Sequence, residues 1–369
     1  MPYPPQQIRF CTSRDGVRIA YATCGAGPSL VRMPYQISHL KFDWDNLVWR
    51  HWLSLFVKRH TLIRYDLRGC GFSDREGVEF SFEKYVEDLE AVIAAAGVER
   101  FALFGISGGG ATAVSYAARH PDRVSHLVLL GSYVLATQSR ARLARNPTPK
   151  QLEEAELHLK SVGLAFEHDN PGMRQLYTSI RMPDASPEYY KAFDDLMRVA
   201  TTPTNAVDLL RAYFQVDLRE LAPQVRCPTI VFHARGDGVA PFDEGRSLAA
   251  LIPGARFVPL DSRNQLLIES EPAWEQFAGE LEGFLPKSSA SGRASGAGPL
   301  LGNLTPREHG VLELVAQGLD NHAIGATLGI SERTVRNNVS IIFSKLGVDS
   351  RAQAIVRARD AGFGQKTER

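Results

Sequence analysis

Apolar and polar side chains alternate over residues 8–12 and 17–23, on either side of Arg14-Asp15-Gly16, which predicts two strands joined as a hairpin. A turn at Asp15-Gly16 would set Cys11 opposite Ala20. Residues 29–32 form a short third apolar run. Over residues 43–57 the spacing becomes helical, with Trp44, Leu47, Val48, Trp52, Leu55 and Phe56 on one face. Further along, the pattern predicts strands over 61–65, from 101, over 124–130, 229–233 and 256–260. Helices are predicted over 82–96, from 109, over 244–251 and over 271–285. Strands alternating with helices at this spacing imply a mostly parallel sheet covered on both faces.

The rhythm breaks after Ser132. Residues 136–216 are helical by pattern, and Pro149, Pro171, Pro187 and Pro203 stand near the starts of their segments. An all-helical insertion here reads as a cap over the sheet's C-terminal edge. Its aromatic residues Phe166, Tyr177, Tyr189, Tyr190, Phe193, Tyr213 and Phe214 are candidates for an apolar pocket lining or for the cap's own core. Residues 286–299 carry no large apolar side chain and are expected to be a flexible linker spanning about 20 Å root-mean-square. The domain reading is therefore 1–285, a linker over 286–299, and a second domain over 300–369.

Composition changes this picture little. The net charge is +1, and from Leu300 onward nine Lys/Arg stand against seven Asp/Glu, so any nucleic-acid contact must be local. The four cysteines form no Cys-x-x-Cys pair and read as free thiols. No cleavable leader or long apolar run is seen, so a cytoplasmic location without membrane association is expected. No cofactor or metal is implied.

The chemistry centres on Gly105-Ile106-Ser107-Gly108-Gly109, between a buried strand and a helix. Small residues flanking the serine let strand and helix approach, and the helix N-terminus favours negative charge beside the hydroxyl. This has the form of a nucleophile elbow. With the Asp66-x-Arg-Gly-x-Gly-x-Ser73 segment and the order of elements, it resembles the α/β-hydrolase fold family across nearly all of the first 285 residues. The resemblance implies a triad of Ser107, an acid matching Asp237, and a histidine in the loop after the last strand. That loop reads Asp261-Ser262-Arg263-Asn264-Gln265, and the position matching the base is Gln265. An amide does not accept a proton near neutral pH, and removing the base costs such a triad several orders of magnitude in turnover. His120, His126 and His233 each have local structural readings. After the third strand, where the family places a small pair, this chain has Pro34-Tyr35-Gln36. Tyr35 there would narrow the pocket, donate a hydrogen bond or simply pack. The expected ligand contacts are Tyr35, Gln36, Ser107, Gly108 and Gln265.

Thr305-Pro306-Arg307-Glu308 opens a helix with a capping box, residues 321–328 form a second helix, and Gly329 turns into a third capped by Ser331. Val335, Val339, Ile342 and Leu346 share one face of that third helix. A fourth, opened by Ser350-Arg351-Ala352-Gln353, ends at Gly362. These motifs resemble the LuxR-type helix-turn-helix family from residue 304 to 362. The resemblance implies double-stranded promoter DNA as partner, with Arg336, Asn337 and Ser340 facing bases. Arg333, Thr334, Lys345 and Asn321 would hold phosphate or the helix-turn geometry. Asn338 stands where the family commonly has histidine. A homodimer through the fourth helix is implied. The two domains together point to a regulator whose hydrolase-like domain binds a small-molecule effector without cutting it. The alternatives are an active serine hydrolase of esterase or lactonase type with its histidine replaced, and an inert dimerisation scaffold.

Overall fold

A computed structural model describes residues 6–136, 149–167, 169–286, 304–346, 348, 350–360 and 363–364. Except for Pro286, the expected linker lies outside the described residues, as do residues 137–148 of the expected cap and the turn glycines Gly347 and Gly362. The chain folds as two compact units, Met1–Ser288 and Ser289–Arg369.

In the first unit eight strands form one sheet: β1 (Gln7–Thr12), β2 (Arg18–Cys24), β3 (Ser29–Arg32), β4 (Thr61–Tyr65), β5 (Phe101–Ile106), β6 (Val124–Leu130), β7 (Thr229–Ala234) and β8 (Arg256–Leu260). Their spatial order is β1-β2-β4-β3-β5-β6-β7-β8. The β1–β2 and β2–β4 pairings are antiparallel and the remainder parallel. Central strand β5 is buried at every position, as its uninterrupted apolar run requires between two covered faces. Its alternate residues feed different cores. Leu103 packs with Tyr85, Leu89 and Val114, whereas Phe104 packs with Trp52, Phe56 and Phe277 on the other face.

The helices beside the sheet are α1 (Leu40–Asp45), α2 (Arg50–Val57), α3 (Phe82–Ala96), α4 (Gly108–Arg119), α9 (Phe242–Leu251) and α10 (Pro272–Phe284). The single helix expected over 43–57 is thus two. Asn46 breaks it: its Oδ1 accepts the Val48 N–H at 2.9 Å, and its Nδ2 donates to Ala192 O at 2.8 Å. A side chain bonding its own downstream backbone competes with helix continuation. The hairpin also differs by one place, with Cys11 opposite Ile19 and Phe10 opposite Ala20. The bonds Ser13 N–H to Val17 O and Gly16 N–H to Ser13 O close a longer loop than a two-residue turn. All four cysteines are free thiols.

The cap consists of α5 (Pro149–Phe166), α6 (Pro171–Arg181), α7 (Pro187–Ala200) and α8 (Pro203–Tyr213), each opening on the proline that marks its start in the sequence. Its described ends lie side by side, because Leu135 bridges Asp217 and Leu218 N–H donates to Val134 O. A seam fixes the α7–α8 corner to the turn after β4. Thr201 Oγ1 donates to Gly69 O at 2.6 Å, Asn205 Nδ2 to Arg75 O at 2.9 Å, and Gly71 N–H to Ala200 O at 2.8 Å.

That turn also buries charge. Arg68 pairs with Asp88 at 2.6 Å and Asp15 at 2.8 Å, while Asp66 accepts the Phe72 N–H with one oxygen and leaves the other without a partner. A Cβ at Gly71 (φ +53°) would lie 2.1 Å from that carboxylate, which restricts the position to glycine.

The second unit holds α11 (Pro306–Ala316), α12 (Asn321–Leu328), α13 (Glu332–Leu346) and α14 (Arg351–Asp360). Thr305 and Glu308 complete the capping box of α11, and Gly329 adopts φ +63° after α12. Val335, Val339, Ile342 and Leu346 are buried together against Val311, Leu312 and Ile324.

Burial pushes the Asp66 carboxyl up from an ordinary 3.8 to about 7. A carboxyl that holds its proton more tightly folded than unfolded adds stability below the unfolded value and loses it as pH rises through the folded one. Against Asp66→Asn, the wild-type chain is expected to lose unfolding free energy between about pH 4 and about 7. Urea unfolding followed by tryptophan fluorescence at each pH reads this directly.

Candidate functional site

Ser107 sits between β5 and α4 at φ 52°, ψ −124°, and among the described residues no other non-glycine residue has positive φ. The crowding that holds it there is severe. A Cβ on Gly105 would lie 2.6 Å from Gly110 Cα, and one on Gly108 would lie 2.7 Å from the Tyr213 ring. The Ser107 N–H donates to Leu130 O at 3.0 Å, and its backbone carbonyl accepts the Gly110 N–H. Its hydroxyl is buried and, among the described residues, has no hydrogen-bond partner.

Asp237 follows the end of β7. Its Oδ1 accepts the N–H groups of Val239 at 2.7 Å and Ala240 at 3.0 Å, fixing the carboxylate. Gln265 Nε2 donates to Asp237 Oδ2 at 3.2 Å, and Gln265 Oε1 accepts from Tyr35 Oη at 2.7 Å. Tyr35, Gln265 and Asp237 therefore form one directed chain of neutral donors ending on a carboxylate. Burial raises the Asp237 carboxyl above its usual range, opposed by His233 and by its backbone and Gln265 hydrogen bonds. Burial also lifts the Tyr35 phenol far above its ordinary value, so it stays a donor.

Among the described residues no imidazole bonds Ser107. His233 points its Nε2 at Ala240 O at 2.9 Å and lies 3.5 Å from Asp237 Oδ2, with its ring packed on Gly245. His120 pairs with Glu90 at the surface, and His126 packs edge-on against Phe284.

Gln36 Oε1 accepts from Tyr177 Oη and from Arg181 Nη2, each at 2.9 Å. Beside it a cavity of about 20 Å³, lined by Gln36, Ser107, Tyr133, Leu210, Phe214 and Val239, has room for about one water. Of the expected ligand contacts, Gln36 and Ser107 reach this cavity. Tyr35 and Gln265 are bonded to each other, and Gly108 packs on Tyr213. Of the cap aromatics, Phe214 alone is among those lining residues; Phe166, Tyr177 and Phe193 pack in sequence in the cap core at 5.7 and 6.3 Å between centroids. Tyr133, Leu210 and Val239 carry no chemical signature and were invisible to sequence reasoning.

In the second unit Arg333, Thr334, Arg336, Asn337 and Ser340 are exposed along α13. Thr334 Oγ1 lies 2.8 Å from Ser331 Oγ at the start of the helix. Lys345 pairs with Glu308 at 2.7 Å, and Asn321 Oδ1 accepts from Arg351 at 2.9 Å. Those two side chains join helices within the unit.

Residues 43–270 match the family described as alpha/beta hydrolase fold, and residues 302–358 match bacterial regulatory proteins of the luxR family. The chain is 30% identical over 200 residues to the AB hydrolase superfamily protein YisY of Bacillus subtilis (strain 168), covering 53% of this chain and 71% of that one. It is 24% identical over 272 residues to pyrrolizixenacetamide deacetylase of Xenorhabdus hominickii, covering 73% and 94%. In fold it is similar to an esterase from Exiguobacterium antarcticum, with TM-score 0.62, 21% identity, and coverage of 74% and 98%.

A positive-φ serine with an unsatisfied buried hydroxyl stores about 1–3 kcal/mol. Ser107→Gly is expected to raise unfolding free energy by about that amount. Chemical denaturation of the two chains side by side tests it.

Proposed function

We propose, for a chain that belongs to the alpha/beta hydrolase fold family and carries a luxR-family domain after it, that it is a DNA-binding transcriptional regulator whose hydrolase-fold domain binds a small-molecule effector without hydrolysing it. One observation carries the reading. Gln265 stands where the family's base would stand, with its amide already committed to Tyr35 and Asp237. A serine with no proton acceptor keeps an alcohol's reluctance to ionise. Ser107 then serves as a polar anchor, with Gln36, Tyr35, Gly108 and Gln265 around it.

On the DNA side, Arg336 and Asn337 suit bidentate recognition of guanine and adenine, and Ser340 lies one turn further on. Arg333 and Thr334 are positioned for phosphate near the start of α13. A homodimer through α14, acting on promoter DNA in the cytoplasm, completes the proposal. An oligomer with two-fold symmetry matches a palindromic operator.

The intact elbow favours a second reading, an active serine hydrolase with an unconventional base, because Ser107 keeps the positive-φ geometry that the nucleophile position uses. Reactivity separates the two. A serine-directed fluorophosphonate is expected to label Ser107 orders of magnitude more slowly in the wild-type chain than in Gln265→His/Tyr35→Phe, where the base is restored and the phenol no longer competes for it. Rapid labelling of the wild type, read by intact mass, favours the enzyme.

On operator fragments recovered by selection from genomic DNA, Arg336→Ala is expected to weaken binding by about 1–3 kcal/mol and relax specificity at one base position. Mobility shift across a base-substitution panel measures both. DNA affinity that ignores every pocket ligand favours the scaffold reading.

A further inference from the structure

The cap contains a buried cation without a counter-ion. Arg64 faces Asp43, Arg68 faces Asp15 and Asp88, and Arg174 faces Asp194, all as ion pairs. Arg32 lies over the Trp49 ring, within the field of Asp43. Arg181, at the C-terminal end of α6 and 1% exposed, has no carboxylate within ion-pair distance among the described residues. Its guanidinium donates to neutral acceptors, Tyr177 O at 2.8 Å and Gln36 Oε1 at 2.9 Å, and lies 3.3 Å over the Tyr177 ring. Among the described residues its Nε has no hydrogen-bond partner. Removing a cation from water costs several kcal/mol unless charge and hydrogen bonds are returned to it, and here the charge is not returned.

Its location gives the deficit a meaning. Gln36, which Arg181 holds, lines the Ser107 cavity together with Phe214. His158 of the cap packs tilted against Phe214 at 5.3 Å between centroids, and its imidazole is driven down to about 4, chiefly by burial with the charge of Arg181 adding to it. Two basic side chains thus stand behind one wall of the cavity. Asp237, the acid of the neighbouring triad position, already accepts from Val239, Ala240 and Gln265. The backbone of Arg181 is tied to the same loop, its carbonyl accepting the Gln265 N–H at 2.9 Å.

We infer that Arg181, with Gln36 and Tyr177, is the receptor for an anionic group on the effector, a carboxylate, whose apolar body lies against Leu210 and Phe214 with a carbonyl toward Ser107. This rests on the effector-binding reading above and names the ligand's chemical class. A cavity of about 20 Å³ does not admit such a molecule, so binding draws the guanidinium off Gln36 and moves the cap. Because Arg181 O holds the Gln265 loop, that movement reaches the triad position directly.

The test uses the full-length chain and a series of methyl-ketone carboxylates of graded length, each paired with its methyl ester, in thermal-shift and calorimetric titrations. At least one acid is expected to bind about tenfold or more tightly than its ester. Arg181→Gln removes that preference, Arg181→Lys keeps part of it, and both remain folded because the cation they replace has no ion partner. Esters binding as well as acids, an acid preference that survives Arg181→Gln, or no binding by any member of the series overturns the inference. Operator affinity measured with the same compounds keeps the two readings apart. Carboxylate binding through Arg181 that leaves DNA affinity unchanged fails the regulator and keeps the anion site; DNA affinity that answers acids and esters alike does the reverse.

Discussion

Everything in the first unit is arranged around one residue held in a backbone conformation it would not choose. Ser107 at φ 52° persists because β5 and α4 meet across glycines that leave no space for any other path, and because the strand beneath is buried at every position. The strain is small beside the apolar burial that enforces it, on the order of a few kcal/mol against the many side chains of two cores. Its effect is to point a buried hydroxyl toward a small cavity ahead of a helix N-terminus, where a partial positive charge of about half an elementary unit is felt. That setting suits a developing oxyanion or a resting carbonyl equally well.

What the site can do from there depends on proton traffic. An imidazole between Ser107 and Asp237 would take a proton from one and be steadied by the other. Gln265 keeps the contact to Asp237 but has no basic lone pair, and Tyr35 occupies its remaining acceptor. The site keeps polar groups around Ser107 and holds an amide between Tyr35 and Asp237.

The sequence carried much of this and concealed the rest for physical reasons. Period-two and helical spacing located the strands and helices because one-sided burial writes itself into residue order, and the cap prolines marked helix starts because proline lacks the N–H that a first turn leaves unused. The elbow and Gln265 were readable as local motifs. The break at Asn46 was not, since it depends on Ala192 far along the chain. Nor was the one-residue shift in the first hairpin, which a loop hydrogen bond decides. The bond from Tyr35 to Gln265 spans 230 positions, and that Arg181 faces no carboxylate among the described residues appears only when their acids are located in space. Lys345 and Asn321 show the same limit in the second unit. Both have the chemistry to touch DNA, and both are already engaged with Glu308 and Arg351.

The chain leaves the sheet beside Leu135 and rejoins it beside Asp217, and those two residues are bridged neighbours. The strands on either side, β6 and β7, pair in register with each other without help from what lies between. The helical insertion is therefore bracketed at a single junction in the sheet. An insertion of another length or lining would enter at the same junction, but it would have to bring its own counterparts of Tyr213 on Gly108, Asn205 on the turn after β4 and Ala192 on Asn46.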